Sequence, residues 1–249
     1  MKVILAAAAA VLGILALPAG AFAALDLKLH PVGQGKYTHA SWVGQIGEAD
    51  DTGTANQAFL LTNGETDANG SAAIIRGLEG VPVSAVTSLS YEHRKDGRCS
   101  KTDPRWTLFI QGKSGKHYAV NVGCAVSPAT TGSTPGWLRR IAKQEFIRLE
   151  VLRKGGTDAL AGSLTGLALA YDQTVGYILV DNITVATKLG SQTWTSAADN
   201  GNDPVAVDAF TDEELAFLAQ PFSVDELTNA DDLLASATPD EWAAIQTDA

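Results

Sequence analysis

Ser163-Leu-Thr-Gly-Leu-Ala-Leu-Ala-Tyr171 and Val175-Gly-Tyr-Ile-Leu-Val-Asp-Asn-Ile-Thr-Val185 decide the fold. Each is an apolar run of strand length, and a short polar turn with glycine separates them, so they read as antiparallel neighbours. Asp181-Asn182 interrupts the second run. A continuously apolar strand has no use for two such side chains, so they either end or bulge the strand with bonds to local backbone, or they mark a site.

Working outward, the chain upstream supplies more strands. Residues 105–111 and 116–124 form the clearest hairpin, joined by Gly112-Lys-Ser-Gly115. Trp106, Leu108 and Ile110 share one face of the first arm, and Tyr118, Val120 and Val122 share one face of the second. In residues 81–94, Val83, Ala85, Leu89 and Tyr91 alternate with polar residues, Val86 being the exception. Residues 54–62 and 71–78 read as two further strands around the Asn63-Gly64 and Asn69-Gly70 turn region. Residues 24–41 read as an extended lead-in with an edge strand. Residues 137–142 read as a helical turn. Residues 145–153 fit both periods, and their position between strands favours a strand. Seven or eight strands in about 145 residues predict an antiparallel sandwich.

The N-terminus has one cation (Lys2), an Ala/Leu/Val run, and Ala21-Phe-Ala23 before Ala24, the parts of a cleaved secretory signal peptide. The run is short and alanine-rich for a permanent anchor. No later stretch is apolar enough to span a bilayer, so export without membrane insertion is expected, to the extracellular space or the periplasm. Loss of Lys2 with the peptide takes the net charge from −10 to −11. Such acidity argues against nucleic acid as a partner. The two cysteines, Cys99 and Cys124, flank the open end of the hairpin, and an even pair in an exported chain predicts a disulfide.

Composition changes past Lys188. Residues 189–249 contain 13 Asp+Glu and no Lys or Arg. Thr211-Asp-Glu-Glu214, Ser223-Val-Asp-Glu226 and Thr238-Pro-Asp-Glu241 each pair a capping hydroxyl with a carboxylate three residues on, which predicts three short helix starts. These helices either fold against the sandwich or order on a partner. The expected organisation is a signal peptide (1–23), a β-sandwich (24–188) and an acidic, partly helical segment (189–249).

The Asp-Asn-Ile-Thr-Val ending of the 175–185 strand resembles the closing strand of the secreted jelly-roll sandwiches used by many carbohydrate-binding modules. That resemblance implies a mainly-β antiparallel jelly roll of the concanavalin or galactose-binding type, with the acidic helical appendage added. It also implies a structural calcium held by Asp181, with Glu48, Asp50 and Asp51 as partners from the early loop; calcium takes six to eight oxygens.

Saccharide binding needs exposed aromatic platforms with polar neighbours. Trp42, Trp106, Trp137, Trp194 and Tyr91 form the pool. Trp137 follows a Thr/Ser/Gly/Pro loop and precedes Arg139 and Arg140, so Trp137, Arg139 and Tyr91 are the candidate ligand residues. His93, Arg94, Lys95, Arg98, Lys101 and Arg105 form a basic cluster suited to an anion, an acidic sugar or the chain's own acidic segment. No nucleophile elbow, metalloprotease helix or phosphate loop is present. A carboxylate pair such as Glu92 with Glu150 leaves glycoside hydrolysis open. The leading expectation is a non-catalytic module for a saccharide or cell-surface component. Next comes a protein-interaction module acting through the acidic segment, then an enzyme.

Overall fold

The computed structural model describes residues 26–33, 38–48, 56–64, 70–100, 102–124, 127, 129–172, 175–200 and 238–241. The signal-peptide residues, Asp50, Asp51, Lys101 and the helix starts at Thr211 and Ser223 lie outside them. Among the described residues the chain forms twelve strands and one long helix. The strands are β1 (Lys28–Gly33), β2 (Ala40–Gly44), β3 (Gln57–Asn63), β4 (Ser71–Arg76), β5 (Val86–Arg94), β6 (Arg105–Gln111), β7 (His117–Gly123), β8 (Ala129–Thr131), β9 (Trp137–Lys143), β10 (Ser163–Tyr171), β11 (Gly176–Thr187) and β12 (Gly190–Trp194). Helix α1 is Gln144–Leu160.

The strands make two antiparallel sheets. The first runs β1-β4-β10-β6-β7 and the second β2-β3-β11-β5-β9-β8, with β12 also pairing β11. Alternation places Leu29, Ile75, Leu167, Leu169, Trp106, Leu108, Val120 and Val122 inside from the first sheet. Phe59, Leu61, Leu89, Tyr91, Ile178, Val180, Ile183 and Val185 meet them from the second. Each fully buried Leu or Phe contributes about 1.5–3 kcal/mol relative to exposure. The runs at 163–171 and 175–185 are central strands, β10 and β11, of different sheets rather than partners in one.

Within β11 the interruption is a bulge. The β5 register slips between Asp181 and Thr184, and Asn182 has a φ of 47°. The extra residue keeps the apolar pattern inside. Ile178 and Val180 face the core before it, and Ile183 and Val185 after it; without the slip the second pair would face outward. On its other edge, β11 pairs β3 through Val180 and β12 from Ile183, so the bulge is also where one neighbour gives way to the next.

Two local expectations are corrected. Residues 145–153 lie in α1, not a strand. Phe146, Ile147, Arg148, Leu149 and Val151 are all buried, and a helix buried on most of its circumference has no clean period to read. Residues 137–142 form strand β9 rather than a helical turn. Leu138, Arg140 and Ala142 point inward opposite His93, Tyr91 and Leu89, and a buried arginine in the middle hid the alternation.

The predicted disulfide is present, joining Cys99 to Cys124 with their Cα atoms 5.6 Å apart. The second sheet continues past Lys188, since β12 places Trp194 in the core and Ala197 N–H donates to Gln57 Oε1 at 2.9 Å. Of the three helix starts, the one at Thr238 is observed. Thr238 N–H donates to Glu241 Oε2 (2.8 Å), Glu241 N–H donates back to Thr238 Oγ1 (3.3 Å), and Glu241 pairs with Arg153 of α1 at 3.0 Å. No helix among the described residues is long and apolar enough to cross a membrane.

Candidate functional site

The bulge builds the first cluster. Asp181 ends the β3-paired half of β11 on the outer face of the second sheet, next to Glu92 in the β5 register. Glu48, just beyond β2, reaches the same point. Its N–H donates to Asp181 Oδ2 at 2.9 Å, and Asn182 N–H donates to Asp181 Oδ1 at 2.7 Å. Asn182 Nδ2 donates to Glu48 Oε2 at 2.9 Å. The hairpin loop between β8 and β9 covers the group. Thr134 gives its N–H (2.9 Å) and hydroxyl (2.6 Å) to Glu48 Oε1, while Ser133 gives its N–H (2.6 Å) and hydroxyl (2.9 Å) to Glu92. Gly132 is required here, because a Cβ would lie 2.8 Å from both Glu92 Oε2 and Trp137 Cβ.

Three nearly buried carboxyls in one place do not all ionise together. Burial, with Glu48 and Glu92 nearby, pushes Asp181 up to about 7 despite its two backbone donors. Burial also raises Glu48, and a hydrogen bond to Glu92 adds to the rise. Burial works against Glu92 as well, but the bonds from Glu48 and Ser133 overcome it and hold Glu92 below the ordinary range. The two glutamates are therefore pushed in opposite directions, Glu48 towards holding a proton and Glu92 towards losing one.

The structure brings Asp181 and Glu48 together and adds Glu92, Asn182, Ser133 and Thr134, while Asp50 and Asp51 lie outside the described residues. The donor set is all oxygen and suits a hard cation. A cation here would compete with the protons that burial favours on Asp181 and Glu48.

The aromatic platform is corrected. Trp137 is 6% exposed and packs with Val43, Ala58, Leu60, Tyr177 and Leu179 in a small outer-face cluster. Tyr91 is buried between the sheets, its ring centroid 6.2 Å from that of Trp106. Trp42, Trp106 and Trp194 are buried too. A tryptophan after a flexible loop reads as a platform, but that loop is pinned by Glu48 and Glu92 and holds Trp137 against the sheet. Arg139 alone of the three candidate ligand residues is exposed, beside Glu92 in the β9 register.

The basic cluster is dispersed. Arg94 pairs with Asp96 at 2.6 Å. Arg105 is clamped by both oxygens of Asp172 and by Asp103. His93 points inward. Glu150 pairs with Arg153 on α1 at 3.7 Å, so Glu92 and Glu150 belong to separate networks.

His93 and the cysteines form a second group, with imidazole nitrogen and both Sγ atoms within 4.8 Å of one another. Both sulfurs are spent in the disulfide. His93 Nε2 accepts from Arg140 Nε at 3.3 Å, and its Nδ1 faces the Arg94 carbonyl at 3.1 Å. Burial, then Arg140, lowers His93 to about 4, so it is neutral. From sequence, Arg140 stands only as a neighbour of Trp137, and Ser133 and Thr134 only as part of a loop; nothing in the residues themselves marks either as part of a site.

Comparison with protein-family models, with curated proteins and with solved structures found no match for this chain.

Proposed function

We propose that this chain is an exported, non-catalytic binding module of jelly-roll type, with calcium as its structural ion and a saccharide or cell-surface component as its ligand. The supporting observation is the meeting of Glu48, Glu92 and Asp181, far apart in sequence, under the Ser133–Thr134 hairpin. Calcium would be held by these three carboxylates, with the Ser133 and Thr134 hydroxyls and, after a turn of its amide, Asn182 Oδ1 as further oxygens. Bound calcium would supply a fixed positive charge that locks the hairpin to the sheet. Arg139, exposed beside that hairpin, is then the side chain that meets an acidic or hydroxyl-rich ligand. Affinity electrophoresis through immobilised neutral and acidic polysaccharides, with calcium or chelator, tests the reading. Calcium-dependent retardation that weakens in Arg139→Ala supports it; migration unaffected by every polysaccharide rejects it.

A second reading has its own observation. The acidic segment is tied to the sandwich on both sides, at Ala197 through Gln57 and at Glu241 through Arg153. This arrangement suits a module that meets a cationic protein through its acidic segment of residues 189–249. A chain lacking residues 201–249 that folds yet loses a partner captured by the full chain would favour it.

A further inference from the structure

Arg140 is 2% exposed between the sheets, and no carboxylate among the described residues pairs with it. Its Nε donates to His93 and its Nη1 to the Ser127 carbonyl at 3.1 Å. Both partners are neutral, so the guanidinium charge is left uncompensated in a medium where an unpaired charge is costly. The buried acid near Tyr91 is Asp103, which shares Arg105 with Asp172 and does not pair with Arg140. Two more donors in the same interior layer have no partner: the Tyr91 hydroxyl and Trp106 Nε1. Tyr91 lies directly opposite Arg140 in the β5–β9 register, and its ring stands beside both Trp106 and His93. The Cys99–Cys124 bridge adjoins His93 on the same side.

We propose that this cluster is an internal anion site, in which Arg140, the Tyr91 hydroxyl and the Trp106 indole N–H hold one monovalent anion of halide size. Arg140 meets neither Asp103 nor Asp172 directly, so its own charge calls for a negative partner. The guanidinium and the indole N–H can only donate, which selects an anion over a cation, and two packed sheets favour a monatomic ion over a larger oxoanion. The guanidinium beside His93 and the bonded sulfurs turn a soft metal away from the same place.

The test uses the full exported chain. Thermal unfolding is followed in sodium bromide and in sodium gluconate at equal ionic strength, and crystals grown in bromide are searched for anomalous scattering. The expected result is a saturable rise in melting temperature with bromide and a peak within hydrogen-bonding reach of Arg140. Arg140→Met should lose the bromide response. Tyr91→Phe keeps the ring and removes one donor, so its half-saturating bromide concentration should rise about tenfold; this variant serves if Arg140→Met does not fold. A water or nothing beside Arg140 in bromide crystals, or a bromide response unchanged in Tyr91→Phe, overturns the proposal.

Discussion

Strands β5 and β9 carry opposite charge problems on their two faces. Outside, Glu92 joins Glu48 and Asp181, backbone and hydroxyl donors from two loops satisfy all three, and burial pushes Asp181 and Glu48 upward. Inside, one residue along each strand, His93 and Arg140 form a cluster whose charge is positive and unbalanced. A carboxylate can shed its charge by taking a proton near neutral pH. A guanidinium cannot, so the inner face has to find its balance elsewhere. The difference shows why one face should respond to pH and the other to anions.

The largest effect should come from the covalent wall of the inner region. Replacing both Cys99 and Cys124 with alanine opens a loop of 25 residues and should cost about 3 kcal/mol by loop-closure entropy, read as a lower urea midpoint. An unchanged midpoint would mean that packing alone holds the inner cluster.

Next is the pH response of the outer face. Asp181 titrates at about 7 in the fold, above the usual 3.8. Its contribution is therefore complete below the ordinary carboxylate range and is lost as pH rises through about 7. Glu48 acts in the same direction; Glu92, held low, acts in the opposite one, losing its contribution as pH falls. Arg139, Ser133, Thr134 and Asn182 are the other charged or bonding groups facing the cluster. In Asp181→Asn the decline in stability between pH 4 and 8 should flatten by a few kcal/mol, since each tenfold change in proton affinity between the folded and unfolded chain is worth roughly 1.4 kcal/mol. Equal slopes in the two proteins would mean that Asp181 does not drive the pH response.

Smaller still, Thr134→Val removes the hydroxyl bond to Glu48 and should cost about 1–2 kcal/mol. It should also raise amide exchange in the 131–136 loop, since the hairpin is held through Glu48 and Glu92. Thr238→Ala should cost about 1 kcal/mol or less, confined to the last helical start. A global loss of similar size from that change would mean that the Glu241–Arg153 tie supports the sandwich itself.

Much of this fold was legible from residues. The β6–β7 hairpin, the inward faces of β5 and β11, the disulfide and the Thr238 cap follow from alternation, spacing and capping chemistry. The segments that misled are those where polar groups are buried or apolar groups surround a helix. Arg140 inside β9 broke a strand pattern, and α1, buried on most of its surface, offered no single stripe. The outer cluster was half legible. Asp181-Asn182 stood out because a strand interior does not take such residues, and Glu48 followed from the resemblance. Glu92 drew notice only as a carboxylate to set beside Glu150, because a glutamate alternating with apolar neighbours reads as solvent-facing, and only the folded loop shows that Ser133 and Thr134 cover the cluster.

The outer cluster is proposed to give up the proton that burial favours on Asp181 in exchange for a divalent cation. Calorimetric titration of calcium into the full chain at pH 8, beside Asp181→Asn, tests this most directly. Saturable binding in the wild type that disappears in Asp181→Asn is expected. No binding, or the same binding in both proteins, would contradict it.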